Sequence, residues 1–176
     1  AAGLKTRDQA KTFIYAFLYG AGDGKIGEIV GGTAREGKAL KQRFLTSLPA
    51  LNALKKAVES KVKRGGFLRG LDGRILPIRS EHSALNTLLQ SAGAVVMKQA
   101  LVSLNTHLAT SNWRSMHDYT FVANIHDEFQ TEVKPELAEQ FGKTACIAIR
   151  EAGNHLKMKC PLDGEYKVGN NWAETH

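Results

Sequence analysis

Four residues near the start of the chain, Arg7, Lys11, Tyr15 and Tyr19, recur at intervals of four. At 3.6 residues per turn this spacing sets them along one slowly drifting stripe of a helix. From Arg7 to Tyr15 the rise is about 12 Å at 1.5 Å per residue, close to the length of an extended nucleoside triphosphate. Two cations at the N-terminal end of a helix, where the dipole adds positive potential, would grip phosphates. An aromatic ring two turns along would lie against a sugar or a base. By spacing alone, an amphipathic helix with two surface cations and two half-buried tyrosines presents the same stripe.

A second cluster is His126–Asp127–Glu128, with β-like sequence on both sides. Adjacent carboxylates at a strand turn suit a divalent cation, because hard cations prefer anionic oxygens. Two-metal phosphoryl or nucleotidyl transfer uses such carboxylates to activate a hydroxyl and neutralise the leaving phosphate. Hairpin turns are also polar for ordinary reasons, and Asp-Glu in a turn is commonplace. The neighbouring His126 serves either as a ligand or as a hydrogen-bonding partner that orients one.

The glycine run Gly20, Gly22 and Gly24 before Lys25 invites a phosphate-loop reading. Such a loop needs four residues between its first glycine and a Gly-Lys-Ser/Thr, with a strand before and a helix after. Here Ile26 stands where the hydroxyl should be, the spacing is short, and what precedes is helical. The run is a helix stop.

The elements that would position these groups follow from the same patterns. Thr6 is an N-cap for a helix from Arg7 to about Tyr19, with Phe13, Ile14, Phe17 and Leu18 on its apolar face. Short helices are expected at 25–31 and 33–46, and Pro49 opens another to about Lys63. After Gly65–Gly66 two short strands flank Asp72–Gly73, a pair that favours a type I′ turn. A long helix is expected from about Ser83 to Ala109, then a hairpin around residues 126–128, a helix over 135–153 and an extended tail. The boundary between a basic helical lobe, 1–64, and an α+β lobe, 65–176, falls at the two glycines.

Charge follows that division. Residues 1–80 carry 16 Lys and Arg against 6 Asp and Glu, whereas residues 81–176 carry 8 against 11, for a formal net charge of +7. A basic half joined to an acidic one suits a polyanion partner held by the first lobe. There is no 18-residue apolar run and no signal-peptide pattern, so no membrane partner is expected. The two cysteines, Cys146 and Cys160, are spaced for neither a metal site nor a disulfide framework, and reduced core positions are expected for both in an intracellular protein.

In combination these stretches resemble family A DNA polymerases, the DNA polymerase I-like enzymes, and in particular their short-tailed-phage branch. The family's nucleotide-binding helix reads Arg, three residues, Lys, three residues, Phe or Tyr, three residues, Tyr-Gly; here those are Arg7, Lys11, Tyr15 and Tyr19–Gly20. Its metal-binding hairpin is His-Asp-Glu, here His126–Asp127–Glu128. The stretch ALNTLLQSAGA (84–94) resembles the palm helix that follows the primer-template minor groove, and VGNNWAETH resembles the phage enzymes' tail. The matches run in order over about 170 residues.

The resemblance implies an α+β fold: a mainly helical fingers lobe, 1–64, followed by the C-terminal part of the antiparallel-sheet palm of a right-hand polymerase, 65–176. It implies that Arg7 and Lys11 contact the triphosphate of an incoming dNTP, with Lys11 also counted as catalytic. Tyr15 would lie against the sugar, where Tyr in place of Phe goes with ready acceptance of dideoxynucleotides, and Tyr19 would pack beside the templating pair. Asp127 and Glu128 would be catalytic and hold part of a two-Mg²⁺ site. Asn86 and Gln90 would bond minor-groove acceptors shared by all correct pairs, with His82 and His126 also on the DNA side. The family's second catalytic aspartate, in Asp-x-Ser-x-x-Glu, would lie upstream with the thumb, the exonuclease domain and the loop that recruits host thioredoxin. The expectation is therefore a DNA polymerase portion, working in the cytoplasm of an infected bacterial host and inactive without its upstream part. The alternative is a remnant that binds DNA without catalysis.

Overall fold

The computed structural model describes residue 4 and residues 6–175. His176, to which no role is assigned, lies outside them. Helix α1 spans Arg7–Leu18, capped by the Thr6 side chain, which accepts from the Gln9 backbone N–H at 3.1 Å. It stops as its glycine predicts. Gly20 takes φ 80°, its N–H reaches the Phe17 carbonyl, and the Ala21 N–H reaches the Ala16 carbonyl. Those two bonds make a Schellman motif.

Three more helices follow: α2 (Asp23–Ile29), α3 (Ala34–Ser47) and α4 (Pro49–Gly65). Thr33 and Glu36 form a reciprocal capping box at the start of α3. Phe13 and Phe17 pack against Phe44 edge to face at 5.1 and 5.2 Å, with Ile26 and Leu40 completing that core.

Strands β1 (Phe67–Arg69) and β2 (Ile75–Pro77) pair antiparallel. The expected two-residue type I′ turn at Asp72–Gly73 is replaced by a longer connection. The Gly70 N–H donates to Arg74 and the Gly73 N–H to Gly70, leaving a three-residue loop in which only Gly73 has positive φ. The Asp72 carboxylate pairs with the Arg74 guanidinium, donor to acceptor at 2.7 Å, which holds Asp72 as an anchor of the loop.

Helix α5 (Ala84–Thr110) follows a single 3₁₀ turn at Glu81–Ser83. By contacts the chain divides into two compact units, 1–90 and 91–176, so the division falls within α5. In the first unit Val58, Val62, Leu68, Leu76 and Ala84 form a second core.

The second unit contains β3 (Tyr119–Ile125), β4 (Glu128–Val133), α6 (Ala138–His155) and α7 (Trp172–Thr175). Leu104, Leu108, Tyr119, Phe141, Ala145 and Ala148 are its buried core. The expected extended tail is interrupted by α7. Asn171 accepts from the Glu174 N–H at 3.2 Å, and the Glu174 carboxylate accepts from the Asn170 N–H and the Asn171 amide, both at 2.8 Å. Local capping thus closes a turn that propensity alone would not. Cys146 is buried and free, whereas Cys160 is free but exposed, contrary to the core position expected for it. Among the described residues no helix is long and apolar enough to cross a membrane.

Candidate functional site

The stripe on α1 is real and faces solvent. Phe13 is fully buried and Phe17 nearly so, which forces positions 7, 11, 15 and 19 outward. Tyr15 is 52% exposed and Tyr19 57%, more than the half-burial that an ordinary amphipathic helix would give them. Arg7 and Lys11 are exposed as well. None of the hydrogen bonds or ion pairs among the described residues engages the side chains of Arg7, Lys11 or Tyr15. Two cations and a ring are therefore left available to a ligand.

Tyr19 does have a partner. The Gln90 amide donates to the Tyr19 hydroxyl at 3.1 Å, across 71 residues of sequence. A close approach nearby sustains this junction: a Cβ on Gly20 would lie 2.4 Å from the His82 carbonyl oxygen. Gly20 is thus needed twice, for its positive φ and for the space it leaves. His82, Asn86 and Gln90 follow at intervals of four, His82 and Gln90 exposed and Asn86 half-buried. Within the first unit, then, the end of the cationic stripe and the residues expected to face DNA meet at one junction.

In the second unit β3 and β4 form a hairpin with His126 and Asp127 at its tip, both exposed. His126 sits at φ 53°, a conformation uncommon for a non-glycine residue and worth about 1 kcal/mol or more of strain. Ile125 pairs with Glu128, so Glu128 opens β4 and only two residues make the turn.

A β-bulge, which sequence reasoning missed, governs the hairpin's faces. The register shifts between Phe121 and Ala123. Before it, Tyr119 and Phe121 share the core face with Val133 and Thr131; after it, Ala123 and Ile125 pair with Gln130 and Glu128 on the opposite face. On β4 the alternation is unbroken, and it turns Glu128 away from the core although it adjoins the core residue Phe129. It accepts a hydrogen bond from the Gln130 amide at 3.1 Å.

At the base of the hairpin Asp118 gathers Lys134 at 2.9 Å, His117 at 2.8 Å and the Arg114 N–H at 2.8 Å. The Lys134 bond, then the Arg114 backbone and His117 bonds, hold its carboxyl far below the ordinary carboxylate range. Asp118 is a structural clamp, bound too completely to serve as a ligand.

The donor chemistry of Asp127 and Glu128 fits a magnesium ion: two carboxylates at an accessible tip, one of them oriented by a hydrogen bond. Among the described residues no group of three or more His, Cys, Asp or Glu converges as a metal cage. These two residues could contribute part of a ligand set, not all of it.

A helical, basic first unit followed by an antiparallel hairpin with paired carboxylates is the architecture of part of a right-hand polymerase. The chain belongs to DNA polymerase family A, whose profile matches residues 2–174. It is 43% identical to the DNA-directed DNA polymerase of Escherichia phage T7 over 193 residues, covering 100% of this chain and 27% of that protein. It is likewise 43% identical to that of Escherichia phage Phieco32, covering 99% of this chain and 29% of the relative. DNA polymerase I of Pseudomonas aeruginosa is 27% identical over 97% of the chain and 19% of its own length. The chain thus spans little more than a quarter of the phage relatives. Among solved structures, the POL domain of Pol1 from M. smegmatis, in complex with DNA primer-template and dNTP, superposes with a TM-score of 0.72. That match covers 83% of this chain and 27% of the other at 17% identity, and it supports the fold.

Proposed function

We propose that this chain forms the fingers, residues 1–64, and the C-terminal part of the palm, residues 65–176, of a template-directed DNA polymerase. The observation that carries the reading is the outward stripe on α1: Arg7, Lys11 and Tyr15 are exposed, and its last member, Tyr19, is bonded to Gln90. An incoming dNTP lies along this stripe, its triphosphate on Arg7 and Lys11, its sugar against Tyr15 and its templating pair beside Tyr19. Asn86 and Gln90 donate to minor-groove acceptors of the primer-template, with His82 one turn earlier and His126 at the hairpin tip also on DNA.

Asp127 and Glu128 hold part of a magnesium site. Bound Mg²⁺ supplies charge neutralisation at the phosphates and lowers the pKa of the attacking primer hydroxyl. The chain's own part is to place carboxylate oxygens at the primer end, and to close the fingers lobe over a correct pair so that water is excluded. The remaining carboxylate, the thumb and the exonuclease come from an upstream part of the same enzyme, through which host thioredoxin is recruited. The phage relatives, of which this chain covers only 27% and 29%, are consistent with this division. The working compartment is the cytoplasm of the infected bacterium.

Primer extension with Mg²⁺ and dNTPs tests the reading, using the chain alone and then mixed with such an upstream polypeptide. Extension only in the mixture is the expected result. Extension by the chain alone would reveal a further ligand carboxylate within it. Failure of both, with DNA still bound, would favour a non-catalytic DNA-binding remnant.

A further inference from the structure

We propose that Gln130 is a positioning residue for the Glu128 carboxylate, and that the C-terminal turn α7 sets the orientation of Gln130. The inference rests on the reading of Asp127 and Glu128 as metal-holding carboxylates. Glu128 and Gln130 are two apart on β4 and occupy the same face of the hairpin, opposite the face that carries Phe129 into the core. An ionised carboxylate only accepts, so the Gln130 group 3.1 Å from Glu128 Oε1 is the amide nitrogen. That choice turns Gln130 Oε1 the other way, where it lies 3.4 Å from the Thr175 hydroxyl. The hydroxyl has one proton and two acceptors in reach, Gln130 Oε1 and the Trp172 carbonyl at 3.1 Å, and it shares between them.

A relay therefore runs from α7 through Gln130 to Glu128. Each link is half-buried, and the far end is fixed by the Asn170–Asn171–Glu174 cap. A flexible carboxylate at a hairpin tip samples several rotamers. A donor two residues along the strand selects one of them and so sets the direction in which the carboxylate is presented. The bulge between Phe121 and Ala123 belongs to the same device, since it moves the end of β3 onto the face on which this relay runs.

Mn²⁺ is the probe. Titrated into the ¹⁵N-labelled chain, it broadens the amides of residues 124–130 by its paramagnetism, and the midpoint measures affinity without any catalysis. Gln130→Leu, close in volume but without donor or acceptor, is expected to weaken that midpoint about tenfold. Thr175→Val, which leaves Gln130 in place but loosens it, is expected to give a smaller shift in the same direction. In a Glu128→Gln background Gln130→Leu should add nothing, because its effect passes through that carboxylate. Thermal midpoints of all variants guard against simple unfolding. An unchanged Mn²⁺ midpoint in Gln130→Leu, with Glu128→Gln still weakening it, overturns the positioning role alone. An equal loss in the Glu128→Gln background does the same. If neither Asp127→Asn nor Glu128→Gln alters Mn²⁺ broadening, the metal reading itself has failed and the relay with it.

Discussion

The helix stripe and the hairpin tip present functional groups in opposite ways. On α1 the scaffold does all the positioning: Phe13 and Phe17 are locked in an aromatic core, and Arg7, Lys11 and Tyr15 project freely from the other side. At the hairpin the scaffold is irregular, with a bulge in β3 and a histidine at φ 53°, and Glu128 is held by Gln130. A triphosphate is large and multiply charged, so long cations that adapt to it suffice. A small hard cation demands carboxylate oxygens at fixed places. On the proposed reading, the first surface suits a triphosphate and the second a metal ion.

The largest effect should come from the platform. Asp127→Asn, in the polymerase assembled from this chain and its upstream part, is expected to cut turnover by about a thousandfold or more while leaving DNA affinity unchanged. On the proposed reading the substitution removes a ligand oxygen's charge and no phosphate contact. Single-turnover extension paired with a DNA-binding titration reads both quantities. Turnover within a few-fold of the parent would remove Asp127 from the metal site.

Lys11→Ala comes next. A charged hydrogen bond lost from a phosphate costs about 1.5–3 kcal/mol, or about 10- to 100-fold in kcat/KM for dNTP. Because Lys11 has no partner among the described residues, the fold should be untouched. An unchanged dNTP dependence would reduce the stripe to an ordinary helix exterior.

How much of this could be read in the residues themselves also differs between the two regions. The stripe, the Thr6 cap and the glycine stop are all local, set by intervals of three to five residues, and they stand where the spacing put them. So do α4 after Pro49 and the long helix α5. The Tyr19–Gln90 bond joins residues 71 apart and leaves no periodic trace. The bulge is a property of two strands in register, and TFVANI read as a single strand gives no hint of which residue is extra. The loop at 71–73 kept its Gly73 but not its expected turn type, because Asp72 is engaged by Arg74 and does not adopt positive φ. In the tail, Asn171 and Glu174 are three apart, which is a legible cap; the Gly-punctuated stretch before them masked it.

The Tyr19–Gln90 bond gives a smaller test on the stripe's side. Both groups are exposed, so Tyr19→Phe should cost about 1 kcal/mol or less in chemical denaturation. Gln90→Ala in that background should add almost nothing, since the partner is already gone. Additive losses would mean that the two side chains are held by something other than each other.

A last test concerns the base of the hairpin, and it separates the structural acid from the proposed metal-holding pair. Asp118 has its pKa depressed by the Lys134 bond first, then by the Arg114 backbone and His117 bonds. Between its ordinary unfolded value of about 3.9 and its lower folded value, the unfolded chain binds a proton that the folded chain does not. Stability therefore rises with pH across that window; it is fully present above about pH 4 and is lost as the solution is acidified through the folded pKa. Asp118→Asn removes this titration. Its melting midpoint should start lower at neutral pH, where Lys134 and Arg114 lose their counter-charge, but fall less steeply below pH 4 than the parent's. Asp127→Asn, at the exposed tip and without a partner among the described residues, should leave the melting midpoint at neutral pH close to the parent's. Parallel slopes for the parent and Asp118→Asn would show that the clamp does not hold the hairpin's base.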